Sequence, residues 1–143
     1  MTQNNETIFF IDKRTVVAIN RMCTNLTGGT VLSTTNIRDG QNISFVDRIF
    51  YNEFFGMTLY PDIYHRAAAY MFYIVKNHIF IDGNKRTGLA CALTFLQWNG
   101  FQIDPLDDDS VFDFVIVVAS GPNDADQQIP KIADWLKSLC VPL

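Results

Sequence analysis

His78-Ile79-Phe80-Ile81-Asp82-Gly83-Asn84-Lys85-Arg86-Thr87-Gly88 leads straight into Leu89-Ala90-Cys91-Ala92-Leu93-Thr94-Phe95-Leu96. The first stretch gathers a histidine, a carboxylate and two cations, and the second is almost apolar all round. An apolar girdle of that length predicts a helix buried at the centre of an α fold. The helix is expected to begin near Asn84, reach Trp98 and stop at Gly100, since glycine readily closes a helix.

Working back toward the N-terminus, Pro61-Asp62 opens a preceding helix. Proline is tolerated in a first turn and aspartate favours it. Ile63, Ala67, Tyr70, Met71 and Ile74 follow at spacings of three and four, one face of a helix. Ser44 to about Asn52 reads as a shorter helix with Phe45, Ile49 and Phe50 inward. Thr30–Asn42 reads as a loop. From about Asp12 to Leu26, Val16, Val17, Ile19, Met22 and Cys23 alternate with Lys13, Arg14, Asn20 and Arg21. That pattern predicts an amphipathic helix capped by Asp12 and closed by Gly28-Gly29.

Toward the C-terminus, Phe101-Gln102-Ile103 is at most a short strand. Asp107–Ser110 start a fifth helix through Val118, ended near Gly121-Pro122. The run Val111, Val115, Ile116, Val117, Val118 also suits a strand, but helical neighbours and acidic residues at its start favour helix. A sixth helix runs from Asp126 or Ile129 to Cys140. The expectation is an all-α bundle of six helices with at most a small β-hairpin, over one domain spanning residues 1–143.

Composition agrees. The 143 residues are 48% hydrophobic and 18% charged, with 12 Phe, enough for one core and too apolar for a disordered chain. A net charge of −4 and a pI near 4.9 argue against a general grip on nucleic acid or an anionic membrane. Cys23, Cys91 and Cys140 are scattered, so neither a zinc site nor a closed disulfide framework is expected. Cys91 reads as a small buried hydrophobe. No apolar stretch reaches the ~18 residues of a membrane span. MTQNNETIFF lacks the pattern of a signal peptide, and a cytoplasmic protein is expected.

Chemistry concentrates in His78–Gly88. Gly83-Asn84 at a helix start leaves backbone amides ahead of the hydrogen-bond ladder, and the helix dipole adds to them, making an anion site. Lys85 and Arg86 bring full positive charge, so phosphate suits the site best. Asp82 would repel phosphate unless a divalent cation such as Mg²⁺ lies between them. His78 is placed to take a proton from an attacking hydroxyl. Phe80 reads as a core anchor for the loop. Plainer readings stand beside these: a hydrogen-bonded loop histidine, an aspartate that only caps the helix, and a solvated pair of cations. A Walker A loop is excluded, because Asn84 precedes Lys85 where that motif needs glycine. The residues do not form an EF-hand loop either.

HIFIDGNKRTG closely resembles the Fic/Doc motif HxFx[DE][GA]N[GK]R, and in particular the death-on-curing (Doc) branch. Gly28-Gly29, Arg38-Asp39, Leu59-Tyr60-Pro61, Ala67–Ala69, Leu93-Thr94-Phe95-Leu96, Asn99-Gly100 and Val118-Ala119-Ser120-Gly121 resemble the family in the same order. The resemblance covers about residues 8–139.

It implies a six-helix α domain that transfers part of a nucleotide to a protein hydroxyl. His78 resembles the general base, Asp82 the Mg²⁺-site carboxylate, and Gly83, Asn84, Lys85 and Arg86 the phosphate-binding nest. Fic adenylyltransferases carry Gly where this chain has Lys85, and a second Arg where it has Leu89. Both departures resemble Doc, where an inverted ATP presents its γ-phosphate and the protein acts as a kinase. The resemblance implies a toxin acting on a threonine of elongation factor Tu and neutralised by a Phd-like antitoxin chain. The inhibitory pattern [ST]xxxE[GN] is not met, since Thr2–Glu6 is followed by Thr7. Two alternatives stay open: a Fic-type protein adenylyltransferase, and a catalytically silent domain that binds nucleotide or antitoxin.

Overall fold

The computed structural model describes residues 7–104 and 108–142. Among them, six helices and two small two-stranded sheets are found, matching the all-α expectation. Thr2–Glu6 and Asp107, which figure in the sequence reading, lie outside the described residues.

Helix α1 (Lys13–Thr27) begins where Asp12 accepts the Thr15 amide at 2.9 Å and ends at Gly28, whose φ of 70° suits glycine. Its buried face is Val16, Asn20 and Thr24. The polar–apolar alternation points elsewhere: Asn20 belongs to the buried stripe, and Met22 is 62% exposed. Helix α2 (Phe45–Tyr51) buries Phe45, Val46 and Ile49. Phe50, expected inward, is half in solvent, where its ring meets Phe10 and Tyr51 edge-on.

Helix α3 (Ile63–Lys76) is capped by Asp62, which accepts the His65 amide. It buries every residue from Ala67 to Phe72 together with Ile74 and Val75, so α3 is the central helix. Helix α4 (Asn84–Trp98) has the expected bounds but is not buried all round. Cys91, Ala92, Phe95 and Leu96 pack inward while Leu89 and Leu93 stay half-buried. Gly88 lets the two helices touch: a Cβ there would stand 2.7 Å from Val75 Cγ2 and 3.1 Å from the Met71 carbonyl.

Helix α5 (Asp108–Ser120) settles the valine run as helical, with Val115 and Val118 buried three apart and Val117 in solvent. Lys76 reaches from α3 to donate to the Ala119 and Gly121 carbonyls at its end, a cation where the helix dipole favours one. Helix α6 (Ala125–Leu139) is capped by Asp124 and stops one residue short of Cys140. Cys140–Pro142 form strand β4, antiparallel to β3 (Phe101–Ile103). That pairing joins distant segments and leaves no local signal. The remaining hairpin, β1 (Glu53–Phe54) with β2 (Met57–Thr58), turns through Phe55 and Gly56. No described helix is long and apolar enough to cross a membrane.

Candidate active site

The loop 77–83 joins the two most tightly packed helices, and its anchors are backbone bonds. The Arg38 amide donates to the Ile79 carbonyl and the Ile81 amide to the Asn36 carbonyl, both at 2.9 Å. Ile37 and Phe80 thereby form an antiparallel bridge. Asn36, itself buried with φ of 58°, ties its own loop by accepting the Leu32 amide and donating to the Thr30 carbonyl. Phe80 is fully buried, as its anchoring role requires.

Asn84 makes a second lock. Its Oδ1 accepts the Phe80 amide and its Nδ2 donates to the Phe80 carbonyl, both at 2.8 Å. The side-chain amide is thus engaged with the peptide chain and does not cap the helix that follows. His78 follows the end of α3 with φ of 47°, a conformation unfavourable for a residue with a Cβ and enriched at functional sites. It is exposed, and its carbonyl accepts from the Arg38 guanidinium at 3.4 Å.

Helix α4 starts without a side-chain cap, its N-cap being Gly83 with φ of 78°. Its first backbone bond runs from the Thr87 amide to the Gly83 carbonyl. The amides of Asn84, Lys85 and Arg86 therefore precede the ladder, which is the geometry that receives anions. Asp82 does not cap this turn. Its Oδ1 accepts the neighbouring Gly83 amide at 2.8 Å and its Oδ2 the Thr30 amide at 2.9 Å. Gly29 makes room for it, since a Cβ there would stand 2.9 Å from Asp82 Oδ2.

Lys85 and Arg86 are exposed on the first turn. Arg86 lies over the Phe112 ring of α5, 5.1 Å from its centroid. Two adjoining clefts of about 290 and 390 Å³ share Arg86, Leu89 and Phe112. Leu89 thus lines open space beside the loop. Sequence reasoning missed Asn20, Thr30 and Phe112. The one available signal was Asn20 standing four residues from Val16 and Thr24.

For a magnesium ion, the oxygen donor that these side chains offer is the Asp82 carboxylate. Among the described residues no three His, Cys, Asp or Glu side chains cluster as a metal cage. Magnesium often takes only one or two carboxylates and fills its shell with water and phosphate oxygens. Each Asp82 oxygen accepts one amide and keeps a lone pair. Asp82 fits a one-carboxylate site of that kind.

Fold and site together describe a helical domain whose α3–α4 loop runs into a helix start with no side-chain cap. The Fic/DOC family model matches residues 10–96, more than half of the chain, and the protein belongs to that family. It is 38% identical over 82 residues to "Toxin Doc" of Mycolicibacterium smegmatis, a match covering 57% of this chain and 63% of the relative. It is 35% identical over 78 residues to "Protein kinase doc" of Escherichia phage P1, covering 54% and 57%. The matched span is therefore about three-fifths of each relative's length.

Proposed function

We propose that the protein is a Doc-like toxin that transfers the γ-phosphate of ATP to a protein hydroxyl. The observation carrying this reading is the uncapped start of α4, with Lys85 and Arg86 exposed on its first turn. The exposed His78 and the carboxylate of Asp82 occupy the same loop. The names of the two relatives point the same way.

In this reading the amides ahead of the α4 ladder, with Lys85 and Arg86, bind the triphosphate and meet charge as it develops. Gly83 and Asn84 shape the nest, and Asp82 would hold Mg²⁺. When bound, the ion would neutralise phosphate charge. His78 takes the proton from the acceptor hydroxyl as its oxygen bonds to the γ-phosphorus, and the bond to the ADP oxygen breaks. The resemblance further suggests a threonine of elongation factor Tu as acceptor, blocked translation as outcome, and a Phd-like antitoxin chain as partner.

The test is incubation with γ-labelled and, separately, α-labelled ATP, Mg²⁺ and purified elongation factor Tu or a bacterial extract. Label moving to protein from the γ-position only is the expected result. Label from the α-position would identify an adenylyltransferase instead. No transfer from either would leave a nucleotide- or antitoxin-binding domain.

A further inference from the structure

Asn20 is 1% exposed, within a helix face otherwise built from Val16 and Thr24. Its Nδ2 donates to the Asp82 carbonyl at 2.9 Å and to Thr87 Oγ1 at 3.0 Å. Its Oδ1 is buried without a hydrogen-bond partner among the described residues. A stranded buried oxygen is costly, and leucine would fill the same place without one. The donor end of Asn20 therefore needs a use that offsets that cost.

The use is legible in the peptide it holds. Among the described residues no peptide bond is cis, so the Asp82 carbonyl and the Gly83 N–H point in opposite directions. Turning the carbonyl toward α1 turns the Gly83 N–H away from it, to where Asp82 Oδ1 accepts it. Gly83 is seated against the same helix: a Cβ there would meet Thr24 Cγ2 at 3.2 Å and Asn20 Nδ2 at 3.4 Å.

We propose that Asn20 is a positioning residue, holding the Asp82–Gly83 peptide so that the Gly83 N–H points away from α1 and fixes the Asp82 carboxylate beside the start of α4. What the loop binds rests on the phosphate-transfer reading above; the orientation of the peptide does not. Asn20 acts through Asp82 and Gly83 and touches no reacting atom.

Amide proton–nitrogen NMR spectra of the full chain separate the two. They are recorded free and during titration with tripolyphosphate plus Mg²⁺. In the wild type the Gly83 amide is expected to move as the probe binds. In Asn20→Leu it is expected to be displaced already in the free protein, with half-saturation raised about 10- to 100-fold, as when groups supporting a ligand are lost. Thr87→Val removes the other Asn20 contact while keeping shape, and is expected to retain the wild-type Gly83 position and half-saturation. Should Asn20→Leu fail to fold, Asn20→Ser, too short to reach the carbonyl, takes its place under the same expectations.

Equal changes in the Asn20 and Thr87 variants would overturn the proposal by showing general loosening. A wild-type Gly83 signal and wild-type half-saturation in the Asn20 variant would overturn it too. If Gly83 is displaced in the free variant but the wild type ignores the probe, the orienting role stands and the phosphate reading falls.

Discussion

The Asp82 carboxylate ties the loop before α4 to the turn after α1, accepting the Thr30 amide at 2.9 Å. Gly29 sits against it, and a Cβ there would press on Oδ2 at 2.9 Å. Gly29 does not have a left-handed φ, so alanine is conformationally permitted and its effect would be steric. Gly29→Ala should therefore displace the carboxylate without touching another member of the site. The expected outcome is a higher Mg²⁺ requirement and activity lowered about tenfold or more. Label transfer measured across a Mg²⁺ series checks it. An unchanged Mg²⁺ dependence would separate Asp82 from the metal.

His78→Ala should abolish transfer and leave the fold intact. The residue is exposed and its recorded bond uses the backbone carbonyl, which alanine keeps. Loss of a general base typically costs about 10²- to 10⁴-fold in rate. Parallel measurement of phosphate transfer and thermal unfolding decides the matter. Wild-type transfer by the variant would return His78 to a plain loop residue.

Where the sequence could be read, short-range chemistry did the work. Asp12, Asp62 and Gly28 announce helix ends through interactions spanning three or four residues, and the nest residues are contiguous. What escaped depends on distant partners. Phe50 has a ring for the core yet lies on the outer side of a short helix. Cys140 looks like the last residue of α6 until Ile103 pairs with it. Asn20 reads as surface until Asp82, 62 residues away, is seen to occupy its donor. Asn84 is the instructive case: its place in the loop was legible, but not that its side chain would clasp the Phe80 peptide.

Gly88→Ala should destabilise the protein through contact alone. The added methyl group would stand 2.7 Å from Val75 Cγ2 and 3.1 Å from the Met71 carbonyl, between the packed faces of α3 and α4. Relief requires α3 and α4 to separate, and overpacking of this kind costs about 1–3 kcal/mol. That exceeds the gain in helix propensity, about 1 kcal/mol at most. Chemical denaturation should show a lower midpoint; an unchanged midpoint would mean the interface yields freely.

Acid should weaken the start of α1. Asp12 has its carboxyl held below the ordinary value of 3.8, first by the Thr15 amide and then by the Thr15 hydroxyl. A depressed folded-state value means the contribution is present above the unfolded value and is lost as pH falls through the folded one. Asn at this position caps without titrating. Between about pH 5 and pH 3 the wild type should therefore lose more thermal stability than Asp12→Asn. Parallel unfolding curves for the two proteins across that range give the comparison, and identical slopes would show that the cap bond is energetically silent.

In the proposed reading, Lys85 decides which phosphate the nest receives. It is exposed on the first turn of α4, where a side chain fills space that glycine would leave open to a phosphate lying against the backbone. On that reading a lysine there suits a terminal phosphate, and Leu89 offers no charge to hold the others. Lys85→Gly should weaken transfer of γ-label by removing charge from the developing transition state, about 2–4 kcal/mol in comparable sites, or roughly 10²- to 10³-fold in rate. With Leu89 unchanged, little transfer of α-label is expected from the same variant. If Lys85 only points into water, neither the identity of the transferred label nor its rate will change. Transfer of α-label by the wild type would overturn the kinase reading and leave an adenylyltransferase, whatever the variant does.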